Sequence, residues 1–259
     1  MTAKPAAPAR SSAGWFYMWF GVFCAVLTFG AFAPTFLIPA AIGRFSAPAI
    51  LSIHGVLFLA WPVFFALQAF WAASGRIERH RLLGLAGVAL ATAMACVGIA
   101  ALASALHDWS EKGYEAQGRA VTVIAFSGLL LFTIFVAAAL ANVRRPEIHK
   151  RLMLLATISI MQASVGRILF TIVAARAAPF SRPGMFEPPD PSIATASHFV
   201  AAALLIASAA AYDWRVRGRP HPVTLLGGAG ILIVIALRTQ VIDTPLWRAI
   251  TDALFALGA

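Results

Sequence analysis

Acidic residues are scarce, with 10 Asp and Glu in 259 residues against 20 Lys and Arg, and charges of both signs make up only 12% of the chain. Soluble domains carry about 25% charge, so an ordinary soluble globular protein is excluded. The 61% hydrophobic content excludes disorder, and two cysteines cannot build a disulfide framework. The three lysines are Lys4, Lys112 and Lys150. None falls in the last apolar run, which excludes a retinal protein with its Schiff-base lysine. No phosphate-binding glycine loop, nucleophile elbow or HExxH is present.

What remains is apolar, with a mean hydropathy of +0.84. A membrane-crossing helix needs about 20 mainly apolar residues. Seven runs qualify: Trp15 to Ile42, Ile50 to Ala73, Leu82 to Leu106, Ala120 to Val143, Leu152 to Ala177, Ser192 to Trp214 and Val223 to Trp247. The expected fold is an all-α polytopic bundle of about seven transmembrane helices, one domain over residues 15–259 after a tail of residues 1–14. The longest connections are the polar stretch His107 to Gly118 and the Pro-rich stretch Ala178 to Pro191. The acidic part of the first reads as a solvated loop.

A sequence pI near 11 would raise the question of nucleic acid in a soluble protein. Here the basic residues cluster between apolar runs, as the positive-inside rule expects, so no nucleic acid partner is predicted. Lys4, Arg10, Arg76, Arg79, Arg81, Arg144, Arg145, Lys150, Arg151, Arg215, Arg217 and Arg219 share one side, whereas only Arg44, Lys112, Arg119, Arg176, Arg182 and Arg248 share the other. That bias places the N-terminus on the inner side of the membrane and the C-terminus on the outer side. The tail is too polar for a signal peptide and is expected to be retained.

Gly87, Ala91, Ala95, Gly98, Ala101 and Ala105 form a row of small residues suited to close helix packing, and Cys24 and Cys96 in apolar runs are expected to be inert.

The informative residues are the polar ones inside the runs. His54, Trp61 and Gln68 recur every seven positions and so share one helix face, which should point into the bundle. Gln162, Ser164 and Arg167 lie in the fifth run, His198 in the sixth and Arg238 in the seventh. By count from the helix ends, His54, His198, Arg167 and Arg238 all fall in the outer half. A charge at membrane depth costs roughly 2.5–3.5 kcal/mol and marks a functional site by default. No Asp or Glu occupies the centre of any run, and on that side only Asp243 could pair with one arginine. The other calls for a foreign anion, such as a haem propionate, a lipid phosphate or a substrate carboxylate.

Two functions follow as expectations. In the first, His54 and His198 ligate one b-type haem whose propionates meet Arg167 and Arg238, giving a redox or electron-transfer protein. In the second, the same arginines hold a small anionic or lipidic ligand in a carrier or binding protein. Trp61, Gln68, Gln162 and Ser164 would line either pocket. A non-catalytic assembly subunit of a respiratory membrane complex is the third reading. His80, His149 and His221 gather on the cytoplasmic side, as a metal or proton-transfer cluster or as headgroup anchors. No metal beyond haem iron is expected in the outer half, since two histidines do not complete a zinc or di-iron site. Glu147 should pair with Lys150 or Arg151, and Pro146 should start a helix.

The runs SIHGVLFLAWPVFFALQ, HRLLGLAG, RRPEIHKRLMLLAT with Arg167 beyond it, and AYDWRVRGRPHP resemble a widespread family of bacterial multi-spanning membrane proteins of unestablished activity. The resemblance runs from the second span to the start of the seventh, and HKRLML and the His-bearing second span are its most specific parts. It implies a membrane location. A fainter similarity to small membrane proteins linked to cytochrome oxidase assembly implies a respiratory setting and partner.

Overall fold

The computed structural model describes residues 14–177 and 191–258, with backbone only for residue 170 and residues 173–177. Most of the N-terminal tail and nearly all of the Pro-rich connection therefore lie outside the described residues. The described residues are helical, with no strand.

Among the described residues, seven passes are long and apolar enough to cross a membrane. They comprise α1 (Trp15–Phe32), α2 (Ala49–Ala73), α3 (Ile77–Glu111), α4 (Glu115–Ala141), α5 (Pro146–Ile160) continued by α6 (Gln162–Ala177), α7 (Pro191–Arg217) and α8 (Pro222–Leu237). A shorter helix, α9 (Pro245–Gly258), follows. Helices α1 to α5 pack as sequential neighbours, and α8 closes the bundle against α5 and α7. The fifth pass is the central post. Of its most apolar stretch 61% is buried, against 22% for the first and third passes.

Two boundaries differ from expectation. The stretch His107 to Gly118 is almost wholly helical, and the chain reverses within three residues at Gly113, whose φ of +79° is the left-handed conformation that glycine adopts without strain. Polarity had suggested a loop, but a helix continues past the apolar layer until something breaks it. The last span is also shorter. It leaves regular helix at Arg238, passes through a 3₁₀ turn (Arg238–Val241) and ends before α9. Thr244, ahead of Pro245 at the first helical position, accepts a hydrogen bond from the Trp247 amide at 3.3 Å and starts the new helix.

Helix α9 packs along α3, buries Trp247, Thr251 and Leu254, seats Trp247 against Val123, Ile124 and Phe126 of α4, and leaves Leu246 and Leu257 exposed. Trp247 Nε1 donates to the Arg119 carbonyl at 2.9 Å, and Arg119 donates to Thr251 at 2.6 Å and Asp252 at 2.7 Å.

The row of small residues packs as expected. A Cβ on Gly87 would fall 2.5 Å from Phe64 of α2, and one on Gly98 would fall 2.8 Å from Leu129 of α4. Glycine here sets the α2–α3 and α3–α4 spacings.

Three passes lose regular α geometry at similar depth. The first turns π-helical over Ala33–Leu37 around Pro34, the fifth breaks at Met161, and the seventh tightens at Arg238. These points lie 18 residues (33 − 15), 15 residues (161 − 146) and 16 residues (238 − 222) from the start of each pass. At ~1.5 Å per residue all three fall about 23–27 Å from the face carrying the N-terminus.

Candidate functional site

The breaks surround a polar cluster. Arg238 is 3% exposed, so its guanidinium must find acceptors within the bundle. Nε donates to Thr195 Oγ1 at 3.0 Å, Nη2 to His198 Nδ1 at 2.9 Å, and Nη1 makes a short hydrogen bond to Gln162 Oε1. Gln162 stands at the α5–α6 break, and its Nε2 caps the Ser159 carbonyl at 2.8 Å. One amide therefore repairs the interrupted helix and holds the arginine.

None of these partners is a carboxylate. Asp243 is exposed, and no ion pair to Arg238 or Arg167 occurs among the described residues. Arg167, half-buried one turn along α6, sets its guanidinium 5.2 Å from the Phe32 ring centre and makes no side-chain hydrogen bond among the described residues.

Arginine can only donate, so His198 Nδ1 must accept and the ring proton sits on Nε2. That Nε2–H is buried and has no partner among the described residues. It faces the α6 backbone, since a Cβ on Gly166 would lie 2.9 Å from it. Beside it is a narrow crevice with Gln162 and His198 on its polar edge and Ile158, Met161, Val165 and Leu205 as apolar walls. It has space for about one water-sized group.

Of the expected pocket residues, the bundle brings His198, Arg238 and Gln162 together. Ser164 is adjacent in a second thread, donating to Thr28 Oγ1 at 3.1 Å. Trp61 is 1% exposed, stacks edge-on against Phe132 at 4.7 Å and donates to Thr157 at 3.1 Å, so it is a core residue. His54 stacks on Phe58 of its own helix at 4.1 Å, and its Nδ1 is buried without a partner. No contact joins it to His198. The residues present do not fit a haem shared by His54 and His198. Iron needs the lone pair of a ring nitrogen, but Arg238 holds the lone pair of Nδ1, and Nε2 carries the proton against the backbone of α6.

On the N-terminal face the three histidines separate. His80 and His149 lie side by side with ring centres 6.3 Å apart. His221 instead caps α8, its Nδ1 accepting from the Val223 amide at 3.0 Å. Burial, and then the positive charge of Arg151, hold the His221 pKa below its ordinary value and so keep the ring neutral for that role. Among the described residues no group of three or more His, Cys, Asp or Glu side chains could hold a metal ion.

The same face contains an ion-pair network that inspection of the sequence missed. Arg151 Nε donates to both Asp213 oxygens at 3.1 Å, and Nη2 makes a further short contact to Oδ1. Nη1 donates to the Glu147 carbonyl and to Oε2, each at 2.7 Å. Asp213 also accepts from Thr224 at 2.7 Å and from the His221 amide at 3.1 Å. The expected Glu147–Lys150 pair is present at 2.6 Å. The available signal was Asp213 itself, an acidic residue inside the apolar run AYDW.

No family model, curated protein or solved structure matches the chain. The reading of the site therefore rests on its own geometry.

Proposed function

We propose that this chain is a membrane-embedded binding or carrier protein for a small anion or anionic lipid headgroup, received by Arg238, Arg167 and His198. One observation carries the reading: a guanidinium 3% exposed whose partners are all neutral. Three neutral acceptors take three of its five N–H donors and leave its charge uncompensated. His198 adds a buried N–H in search of an acceptor, and Arg167 adds a second cation without a counter-charge among the described residues.

The breaks in the first, fifth and seventh passes support the same reading, because discontinuous helices at one depth recur where membrane carriers hold polar ligands. With the basic loops inside, the site lies in the outer half of a bacterial inner membrane, with the N-terminus cytoplasmic. An oxyanion oxygen is small enough to enter the crevice beside His198. Electron transfer through His54 and His198 draws no support from this site, because neither nitrogen of His198 is free to ligate iron.

The test is thermal stability of the purified protein against inorganic phosphate, succinate, and vesicles of phosphatidylglycerol or phosphatidylcholine. At least one anion should raise the melting temperature saturably, as a ligand that binds only the native state must. Arg238→Gln should abolish that rise, and Arg248→Gln, an exposed change on the same face, should leave it intact. No response to any anion, or one indifferent to Arg238→Gln, would overturn the proposal.

A further inference from the structure

His80 and His149 are oriented oppositely to His198. His80 Nδ1 lies 3.3 Å from the Gln68 carbonyl, and His149 Nδ1 lies 2.9 Å from the Ala139 carbonyl. A carbonyl only accepts, so both rings carry their proton on Nδ1 and keep the Nε2 lone pair. Metal-ligating histidines are ordinarily oriented in this way, with the other ring nitrogen donating to a carbonyl or carboxylate.

We propose that His80 and His149 are the two axial ligands of a haem iron at the face carrying the N-terminus. Their separation supports axial geometry. With metal–nitrogen bonds of ~2.0 Å and about 1.2 Å from nitrogen to ring centre, two imidazoles on opposite sides of one metal have centres about 6.4 Å apart, whereas a tetrahedral angle brings them to about 5.2 Å. The ring centres are 6.3 Å apart, and the planes cross at 85°.

The surroundings favour haem over a bare ion. Two histidines leave a bare dication short of protein ligands, and the described residues hold no larger ligand cluster. Exposed Arg76, Arg79, Arg81, Arg144 and Arg145 flank the two histidines in sequence and would repel a dication. Haem supplies four ring nitrogens of its own and two propionates, for which the same arginines are partners. Gly84 stands one turn beyond His80 on the same face of α3, and a Cβ there would meet nothing within 4 Å. Gln68, whose main chain holds His80, has both side-chain amide atoms buried without a partner. A haem here would make this face an electron-transfer site. That inference is independent of the anion site, which lies near the opposite ends of the helices.

The experiment is hemin titration of untagged full-length protein in detergent, read by absorption and by electron paramagnetic resonance. One hemin per chain should bind with a low-spin bis-imidazole spectrum. Haem content should fall at least tenfold in His80→Ala and in His149→Ala and stay unchanged in His54→Ala. If an alanine variant fails to fold, His149→Met keeps an iron ligand and should still bind haem with an altered spectrum, a response that lost packing alone would not give. Absence of a Soret band, or a band insensitive to His80 and His149, would overturn the assignment. So would a stoichiometric Zn²⁺ or Cu²⁺ complex that excludes hemin, which would point to a bare-ion site.

Discussion

Arg151 and Arg238 are equally buried, each 3% exposed, yet their surroundings are opposite. Arg151 faces two carboxylates, and Asp213 is further tied to Thr224 and the His221 amide, so that network is electrically and geometrically complete. Arg238 has hydrogen-bond partners but no counter-charge among the described residues. Partners of the first kind hold helices together, here α5, α7 and α8. A charge of the second kind costs stability and persists where something outside the chain completes it. Burial alone does not distinguish the two. The identity of the partners does.

The largest expected effect breaks the complete network. Asp213→Leu removes the buried acceptor of Arg151 and should destabilise the protein by about 3–5 kcal/mol, measured by denaturant or SDS titration of the purified protein. Arg151→Leu combined with Asp213→Leu should recover most of that loss, because the pair then leaves together. Arg238→Gln should stay within about 1 kcal/mol of the parent or exceed it, since it removes a charge that no carboxylate among the described residues offsets. Equal losses at the two arginines would erase the distinction.

How far the two networks could be read from the sequence differs for a physical reason. The seven passes follow from hydropathy, which depends on nothing but residue type. The meeting of Arg238, His198 and Gln162 was also within reach, because residues at one depth in one bundle have few places to go and the central runs lack acids. The Arg151–Asp213 pair was not, since it joins positions 62 apart on helices whose rotation no periodicity reports. His54 shows the same limit. Its depth matched that of His198, but its ring turned to Phe58. The end of the last span was legible in Thr244–Pro245, a helix-start signal outweighed by the apolar residues beyond it.

An intermediate effect sharpens the second half of the comparison. Gln162→Leu strips Arg238 of its Nη1 acceptor and frees the Ser159 carbonyl at the α5–α6 break. Leaving such buried groups unpaired costs about 1–3 kcal/mol. If Gln162 serves only the break, Gln162→Leu in an Arg238→Gln background should cost as much as it does alone. If it serves the arginine, the two changes should be non-additive by 0.5 kcal/mol or more.

The smallest effect lies at the edge of the complete network. His221 caps α8 through Nδ1, so a proton on that nitrogen removes the cap. In the unfolded chain the ring titrates near 6.5, and in the native protein burial and Arg151 hold its pKa lower. Between those values the unfolded state binds more protons, so this contribution is fully present above about pH 6.5 and is lost as the pH falls toward the native pKa. At pH 8, His221→Ala should cost about 1 kcal/mol, the usual value of an N-cap, and the gap to the parent should close on acidification. His221→Asn keeps an acceptor that does not titrate and should hold its stability relative to His221→Ala at both ends of that range. A gap that stays constant with pH for His221→Ala would mean the imidazole contributes by packing, and that the network at this face ends at Asp213 and Thr224.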